Sequence, residues 1–134
     1  MSNTYRYTLN STFEESEKVP DIVEEIADEC SLNDEDTGNF MLLLSEAVTN
    51  AIEHGNENDP KKKVIIHIEI NSKEITASVQ DEGIGFNPQA TKDPLEEKNL
   101  LDISGRGLFL LNEIADSVTY SENGTKLSFS LHRK

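Results

Sequence analysis

Two alternating segments with a short break between them constrain the fold more than any other feature of this sequence. Apolar and polar residues alternate from Val64 to Ile70 and again from Glu74 to Gln80. This two-residue period is that of a β-strand with one covered face. Only Asn71-Ser-Lys separates the two segments, and so short a connection joins strands as an antiparallel hairpin. The sequence therefore predicts an antiparallel sheet that buries one of its faces.

Three further segments have the same period and are predicted as strands. They are Tyr5 to Leu9, Ser117 to Ser121 and Lys126 to Leu131, the last two joined by the turn Glu122-Asn-Gly-Thr. Residues 12–32 have helical periodicity, with Val19, Ile22, Val23, Ile26 and Cys30 on one side. Because Pro20 fits only the first turn of a helix, we expect the regular part to begin at about Lys18.

Two more helices complete the predicted order of elements. The first runs from about Asp34 to Glu53 after the N-capping residues of 33–36, and the second opens at Gly105 and ends near Ala115. Residues 87–104 between strand and helix are irregular, and so long a loop in a compact domain is usually a lid or a binding loop. The order predicts one α+β domain over residues 1–134. We expect a two-layer α/β sandwich with a mixed, mostly antiparallel sheet and helices on one face.

Composition excludes several classes of function. The formal net charge is −14, from 26 acidic and 12 basic side chains, so the chain repels a nucleic-acid backbone and we expect no direct nucleic-acid binding. No apolar run approaches the roughly 20 residues that cross a bilayer, and the first residues lack the pattern of a signal peptide. We therefore expect a cytoplasmic protein. Cys30 is the only cysteine, which excludes a disulfide framework and a cysteine metal cluster.

Glu46 and Asn50 form an unusual polar pair within the predicted second helix. They are four residues apart and so lie one turn apart on the same face, next to Leu43, Ala47 and Ala51. A carboxylate and a carboxamide against an apolar surface cost free energy unless they bind something. A metal ion with a phosphate, or a water to be deprotonated, would supply that partner.

Two pairs of glycines lie at the ends of other predicted elements. Asp81-Glu-Gly83-Ile-Gly85 follows a strand directly, and Gly105-Arg-Gly107 opens a helix. Glycines at a helix N-terminus let backbone N–H groups approach an anion, and an aspartate at a strand end can accept a hydrogen bond from an exocyclic amine. Each pair alone is also typical of an ordinary turn or junction. Neither matches the P-loop or the dinucleotide fingerprint.

The three motifs together resemble the boxes of the GHKL ATPases, the class that contains histidine kinases and gyrase B. Residues 45–55 (Ser-Glu-Ala-Val-Thr-Asn-Ala-Ile-Glu-His-Gly) are similar to the N box, residues 81–86 to the G1 box and residues 104–111 to the G2 box. The sequence Glu-Ala-Val-Thr-Asn-Ala most resembles that of the anti-sigma factor serine/threonine kinases typified by RsbW and SpoIIAB. The resemblance covers nearly the whole chain and implies the Bergerat ATP-binding fold.

The resemblance implies ATP and Mg²⁺ as cofactors and a role for each matching residue. Asn50 would hold Mg²⁺ against the phosphates, and Glu46 would be the general base that takes a proton from a substrate serine or threonine hydroxyl. His54 ends the N box, where it is either a ligand contact or a structural helix end. Asp81 would bind the adenine amine, with Thr125 nearby. Gly83 and Gly85 would form the purine-side wall. The phosphates would be met from the lid side by Gly105, Arg106 and Gly107.

The resemblance also implies partners, and it leaves alternatives open. We expect an anti-sigma factor that phosphorylates an anti-anti-sigma (STAS-type) partner, sequesters a sigma factor and forms a homodimer. The alternative is an ATP-binding partner-switching module with little or no kinase activity. The ATPase part of a sensor histidine kinase is less favoured, because the sequence has no hairpin with a phosphoacceptor histidine. A structural protein that binds no nucleotide would have to carry all three boxes by chance.

Overall fold

A computed structural model describes residues 2–83, 111–121 and 125–134. The described elements occur in the order strand, three helices, two strands and two more strands. Their bounds are β1 Asn3–Asn10, α1 Phe13–Ser16, α2 Val19–Cys30, α3 Asp34–Asn50, a π-helical segment Ala51–Gly55, β2 Lys63–Ile70, β3 Glu74–Gln80, β4 Ser117–Ser121 and β5 Lys126–His132. The predicted lid over residues 87–104 lies outside the described residues, as do the start of the predicted helix at Gly105 and residues 122–124 of the predicted turn.

The five strands form one sheet in the order β1-β2-β3-β5-β4, and every described pair of neighbours is antiparallel. The hairpin predicted from alternation is confirmed, with Ile70 opposite Ile75 and Ile66 opposite Val79. The apolar positions of β2 and β3 are buried, whereas the intervening residues are exposed or partly exposed. The predicted α+β architecture, with one covered sheet face, is therefore confirmed.

The first helical region differs from the single helix predicted for residues 12–32. It consists of a short α1 and a separate α2, which begins at Val19 with Pro20 in its first turn. Thr12 caps α1, since its hydroxyl accepts a hydrogen bond from the Glu15 N–H. The predicted apolar side of α2 is confirmed, because its aliphatic residues are buried in the core and Cys30 packs against that core. Pro20 lacks an N–H group, so a helix starts at this point more easily than it passes through.

Helix α3 supplies the centre of the core. Asn33 caps its first turn by accepting a hydrogen bond from the Asp36 N–H at 2.7 Å. Phe40, Leu43 and Leu44 are completely buried and lie on the side of α3 that faces the sheet and α2. The helix was predicted to continue to Glu53, and the structure instead changes to π-helical geometry at Ala51.

The last described helical residues, 111–114, precede β4, and Leu111 is fully buried. The predicted end of this helix near Ala115 agrees with that position. In the described ranges, no helix combines the length and the apolar character needed to span a bilayer.

Candidate functional site

Glu46 and Asn50 lie on the last turns of α3, at the border between core and surface. Leu43, Ala47 and Ala51 beside them are buried, while Glu46 and Asn50 are partly exposed. The apolar flank predicted from the sequence is therefore present. None of the described residues pairs with the Glu46 carboxylate, so its orientation is not fixed by them.

The Asn50 side chain contains a buried donor with no partner. In the described part of the chain, two buried side-chain atoms lack a hydrogen bond, Asn50 Nδ2 and Asp36 Oδ1. The second oxygen of Asp36 accepts a hydrogen bond from the Lys134 N–H at 3.0 Å, which leaves Asn50 as the group with less compensation. An unsatisfied buried polar group costs about 1–3 kcal/mol, and such groups call for an explanation. One explanation is a bound ligand that supplies the missing acceptor.

The chain after Asn50 is wound more widely than an α-helix. Residues Ala51–Gly55 are π-helical, and the Asn56 N–H closes the segment by donating to the Ala51 carbonyl at 2.8 Å. Short π-helical insertions occur frequently at functional sites. Ala51 and Ile52 face the core, whereas Glu53 and His54 are exposed. The His54 Nε2 lies 3.8 Å from the Glu53 carboxylate.

The π-helical segment ends against the exit of β3, where Gly55, Asp81 and Gly83 meet. A Cβ atom added to Gly83 would lie 2.7 Å from the carbonyl carbon of Gly55, and one added to Gly55 would lie 2.9 Å from the Cβ of Asp81. Both distances are shorter than real Cβ contacts, so glycine is required at each position. The close approach brings the end of the predicted N box directly onto the start of the predicted G1 box.

Asp81 is held by its neighbours while one part of its carboxylate faces Gly55. The Gly83 N–H donates to Asp81 Oδ1 at 2.8 Å, and the Asp81 N–H donates to the Thr125 carbonyl at 2.9 Å. Burial raises the pKa of the Asp81 carboxyl above its ordinary value of 3.8, against smaller lowering effects of the Gly83 N–H and the Lys62 charge. A partly desolvated, positioned carboxylate is a suitable acceptor for an amine of a bound base.

Sequence reasoning missed Asn56, because the stretch from Gly55 to Lys63 has the composition of a loop. Its side chain is fully buried and makes three hydrogen bonds. Nδ2 donates to Ser11 Oγ at 2.7 Å and to the Lys63 carbonyl at 3.0 Å, and Oδ1 accepts from the Glu82 N–H at 2.7 Å. A Gly-Asn pair usually indicates a turn, and no local signal distinguishes a buried asparagine from an exposed one there.

The structure brings some predicted site residues together and does not describe others. Asp81, Gly83 and Thr125 are adjacent, and Glu46 and Asn50 share one helix face. His54 lies on the exposed side of the π-helical segment. The remaining predicted positions, Gly85, Gly105, Arg106 and Gly107, fall outside the described residues.

The donors present fit a nucleotide with its cation better than a metal held by protein alone. Within the residues that the structure describes, no group of three or more His, Cys, Asp or Glu side chains could hold a metal ion. Magnesium is usually bound by one or two protein groups together with substrate phosphates. The Asn50 carboxamide offers an oxygen that can bind a cation and an N–H group that can donate to a phosphate.

Known proteins share both the sequence and the fold. A family profile described as a histidine kinase-like ATPase domain matches residues 9–131. An anti-sigma F factor of Clostridium perfringens is 42% identical over 98 residues, which cover 69% of this chain and 70% of that protein. The serine-protein kinase RsbW of Staphylococcus aureus is 33% identical over 108 residues, which cover 75% of this chain and 68% of that protein.

A solved structure shows the same fold at low identity. The crystal structure of the RsbU and RsbW domains of a Mycobacterium tuberculosis protein superposes with a TM-score of 0.67 and 17% identity, over 98% of this chain. This chain spans 32% of that longer one. The profile covers more than nine-tenths of the sequence, and the fold agrees with it. The chain belongs to the histidine kinase-like ATPase family.

Proposed function

We propose that this protein is an ATP-dependent serine/threonine kinase of the cytoplasm that acts as an anti-sigma factor. It would phosphorylate a STAS-type anti-anti-sigma partner and sequester a sigma factor, as a homodimer. The observation that carries the proposal is the partly exposed Glu46 carboxylate one turn from Asn50, whose Nδ2 is buried and unpartnered. Relatives named anti-sigma F factor and serine-protein kinase RsbW support the same assignment.

The adenine end of ATP would lie against the exit of β3. Asp81 would accept a hydrogen bond from the exocyclic amine of adenine, because its ionised carboxylate has only acceptors. Guanine carries a carbonyl oxygen at that position, so the same carboxylate would repel it. Gly83 and Gly85 would form the purine-side wall, and Thr125, directly before β5, would lie near the base.

The phosphate end would lie along the last turn of α3 and under the lid. Asn50 would hold Mg²⁺, which neutralises phosphate charge when bound. Glu46 would take the proton from the attacking serine or threonine hydroxyl, a role that needs a carboxylate within hydrogen-bond reach of the nucleophile. Gly105, Arg106 and Gly107 would meet the phosphates from the lid side. His54 would be either a ligand contact or a structural helix end, and its Nε2 lies 3.8 Å from the Glu53 carboxylate.

A second candidate function is supported by one specific observation. No described residue hydrogen-bonds the Glu46 carboxylate, whereas the base of a nucleophile–base pair is commonly oriented by a third group. The alternative is therefore a partner-switching module that binds ATP to set its conformation and transfers phosphate slowly or never.

Calorimetry with ATP and GTP, each with and without Mg²⁺, tests the nucleotide part of the proposal. We expect binding that prefers ATP and that Mg²⁺ strengthens. Absence of ATP binding would contradict both candidate functions. Transfer of labelled γ-phosphate to purified STAS-domain proteins of the same genome then separates them. Labelling of a serine or threonine supports the kinase, and tight ATP binding without labelling supports the switching module.

A further inference from the structure

Asn56 joins the ends of three neighbouring strands, β1, β2 and β3, at the end of the sheet where Asp81 lies. Ser11 follows β1, Lys63 begins β2 and Glu82 lies two residues beyond β3. Each supplies one hydrogen-bond partner to the same carboxamide. Because both hydrogens of Nδ2 and the Oδ1 oxygen are used, the orientation of the side chain is fixed.

The hydrogen bond from the Glu82 N–H to Asn56 Oδ1 is the contact that reaches the site. Glu82 stands between Asp81 and Gly83, so this 2.7 Å bond holds the segment that carries the proposed adenine acceptor. The Glu82 carboxylate also accepts a hydrogen bond from the Lys63 N–H. The segment is therefore fastened to both Asn56 and Lys63 through Glu82.

The backbone of Asn56 fixes the other side of the same junction. Its N–H closes the π-helical segment on Ala51, and Gly55 directly before it contacts Asp81 and Gly83. One residue thus sets the position of the helix end through its backbone and of the β3 exit through its side chain. The distance between these two surfaces determines where the Asp81 carboxylate lies.

We propose that Asn56 is a positioning residue for adenine recognition, which acts on the Asp81 carboxylate through the Glu82 N–H. This inference rests on the proposed function, since it needs ATP to bind at Asp81. It assigns to the buried carboxamide a part in the choice of base. A residue that only held the strands together would affect stability and not the choice between ATP and GTP.

The test compares Asn56→Ala with Ser11→Ala as a matched control. Asn56→Ala removes the bond to Glu82, whereas Ser11→Ala removes one partner of Nδ2 and leaves the Glu82 bond in place. We expect both variants to melt at lower temperature than the wild type. We expect Asn56→Ala to reduce the ratio of ATP to GTP affinity about tenfold, the effect of losing one well-placed hydrogen bond. Ser11→Ala should keep the ratio within about threefold of the wild type.

A second variant keeps the inference testable if Asn56→Ala does not fold. Asn56→Asp retains an oxygen that can accept from Glu82 while it loses both donors, so it should lose stability and keep the affinity ratio. An unchanged ratio in Asn56→Ala, or a collapsed ratio in Asn56→Asp, would overturn the inference. Wild-type protein that binds neither nucleotide would instead contradict the proposed function, so the two failures are distinguishable.

Discussion

Asn50 and Asn56 stand six residues apart, and each contains a buried amide nitrogen, yet their surroundings are opposite. The Asn56 carboxamide satisfies all its hydrogen-bonding groups within the protein. The Asn50 amide nitrogen has no partner in the described structure. One group is thus fully paired by the fold itself, and the other keeps an unpaired buried donor in the described structure.

The difference shows that the same chemical group can be fully paired or left unpaired within a few residues of one chain. A buried polar group with all its partners stabilises a unique arrangement of the backbone. One without a partner lowers the stability of the empty protein and returns that free energy when a ligand binds. The turn between them, the π-helical segment, separates the two roles within a few residues.

The largest effect is expected for the residue beside Asn50 that would perform the chemistry. Glu46→Gln keeps the size of the side chain and removes its basicity, so phosphoryl transfer to the partner should fall about a hundredfold or more. ATP affinity should stay within a few-fold of the wild type, as measured by calorimetry. Glu53→Gln is the matched control, because Glu53 is an exposed carboxylate on the adjacent segment. Transfer at the full wild-type rate by Glu46→Gln would exclude the role of base.

Replacing each asparagine by alanine tests the comparison directly. Asn56→Ala should lower the free energy of unfolding by about 3 kcal/mol, because it removes one buried and two partly buried hydrogen bonds and leaves their partners unpaired. Asn50→Ala removes no protein hydrogen bond of Nδ2, so its effect on stability should be within about 1 kcal/mol. Urea unfolding of the two variants without nucleotide measures both values.

For ATP binding the expectation is reversed, and Asn50→Ala should have the larger effect on the gain that Mg²⁺ produces. Asn50→Ala should abolish the gain in ATP affinity that Mg²⁺ produces, while the fold survives. If Asn50→Ala retained that gain, or unfolded as readily as Asn56→Ala, the two carboxamides would not differ as we describe.

The sequence was sufficient to predict the fold and the position of Asn50, but not the role of Asn56. Alternation in Val64 to Ile70 and the spacing of Glu46 and Asn50 are local patterns, and they predicted the hairpin and the shared helix face. The role of Asn56 depends on Ser11, Lys63 and Glu82, which are brought to it only by the folded sheet. Pro20 correctly predicted that the regular helix begins at about Lys18, but periodicity did not predict the separate short α1 or the change to π-helical geometry. Such features depend on tertiary contacts and on backbone hydrogen bonding rather than on side-chain pattern.

The ionisation of Asp81 should make both the stability of the protein and its affinity for adenosine depend on pH. Because burial raises its pKa in the folded protein, the ionised form destabilises the empty fold. This cost is fully present above the folded pKa and is lost as pH falls below the unfolded value. Protonation also removes the acceptor for adenine, so adenosine affinity should fall progressively as the pH is lowered from 7.5. Adenosine serves as the probe because it has no phosphate to titrate.

Asp81→Asn is the control for that titration. It should bind adenosine more weakly at pH 7.5 and show no further loss on acidification, since an amide does not titrate in this range. It should unfold at least as readily in acid as at neutral pH, without the gain expected from protonation of Asp81. A pH dependence of adenosine binding that persisted in Asp81→Asn would assign the titration to another group. The pH titration stops above the isoelectric point of about 4.5. At the isoelectric point the protein would lose the net charge that keeps it soluble.

The smallest effect is expected at the opposite end of α3, where a glycine is not required. A Cβ added to Gly38 meets nothing within 4 Å, and the position is exposed in a regular helix. Gly38→Ala should therefore stabilise the protein by about 0.5–1 kcal/mol, because alanine loses less conformational entropy in a helix. Nucleotide affinity should not change. Gly83→Ala is the informative contrast, since its Cβ would overlap the Gly55 backbone. It should lower both stability and ATP affinity, and equal behaviour of the two variants would show that the Gly55–Gly83 contact does not shape the site.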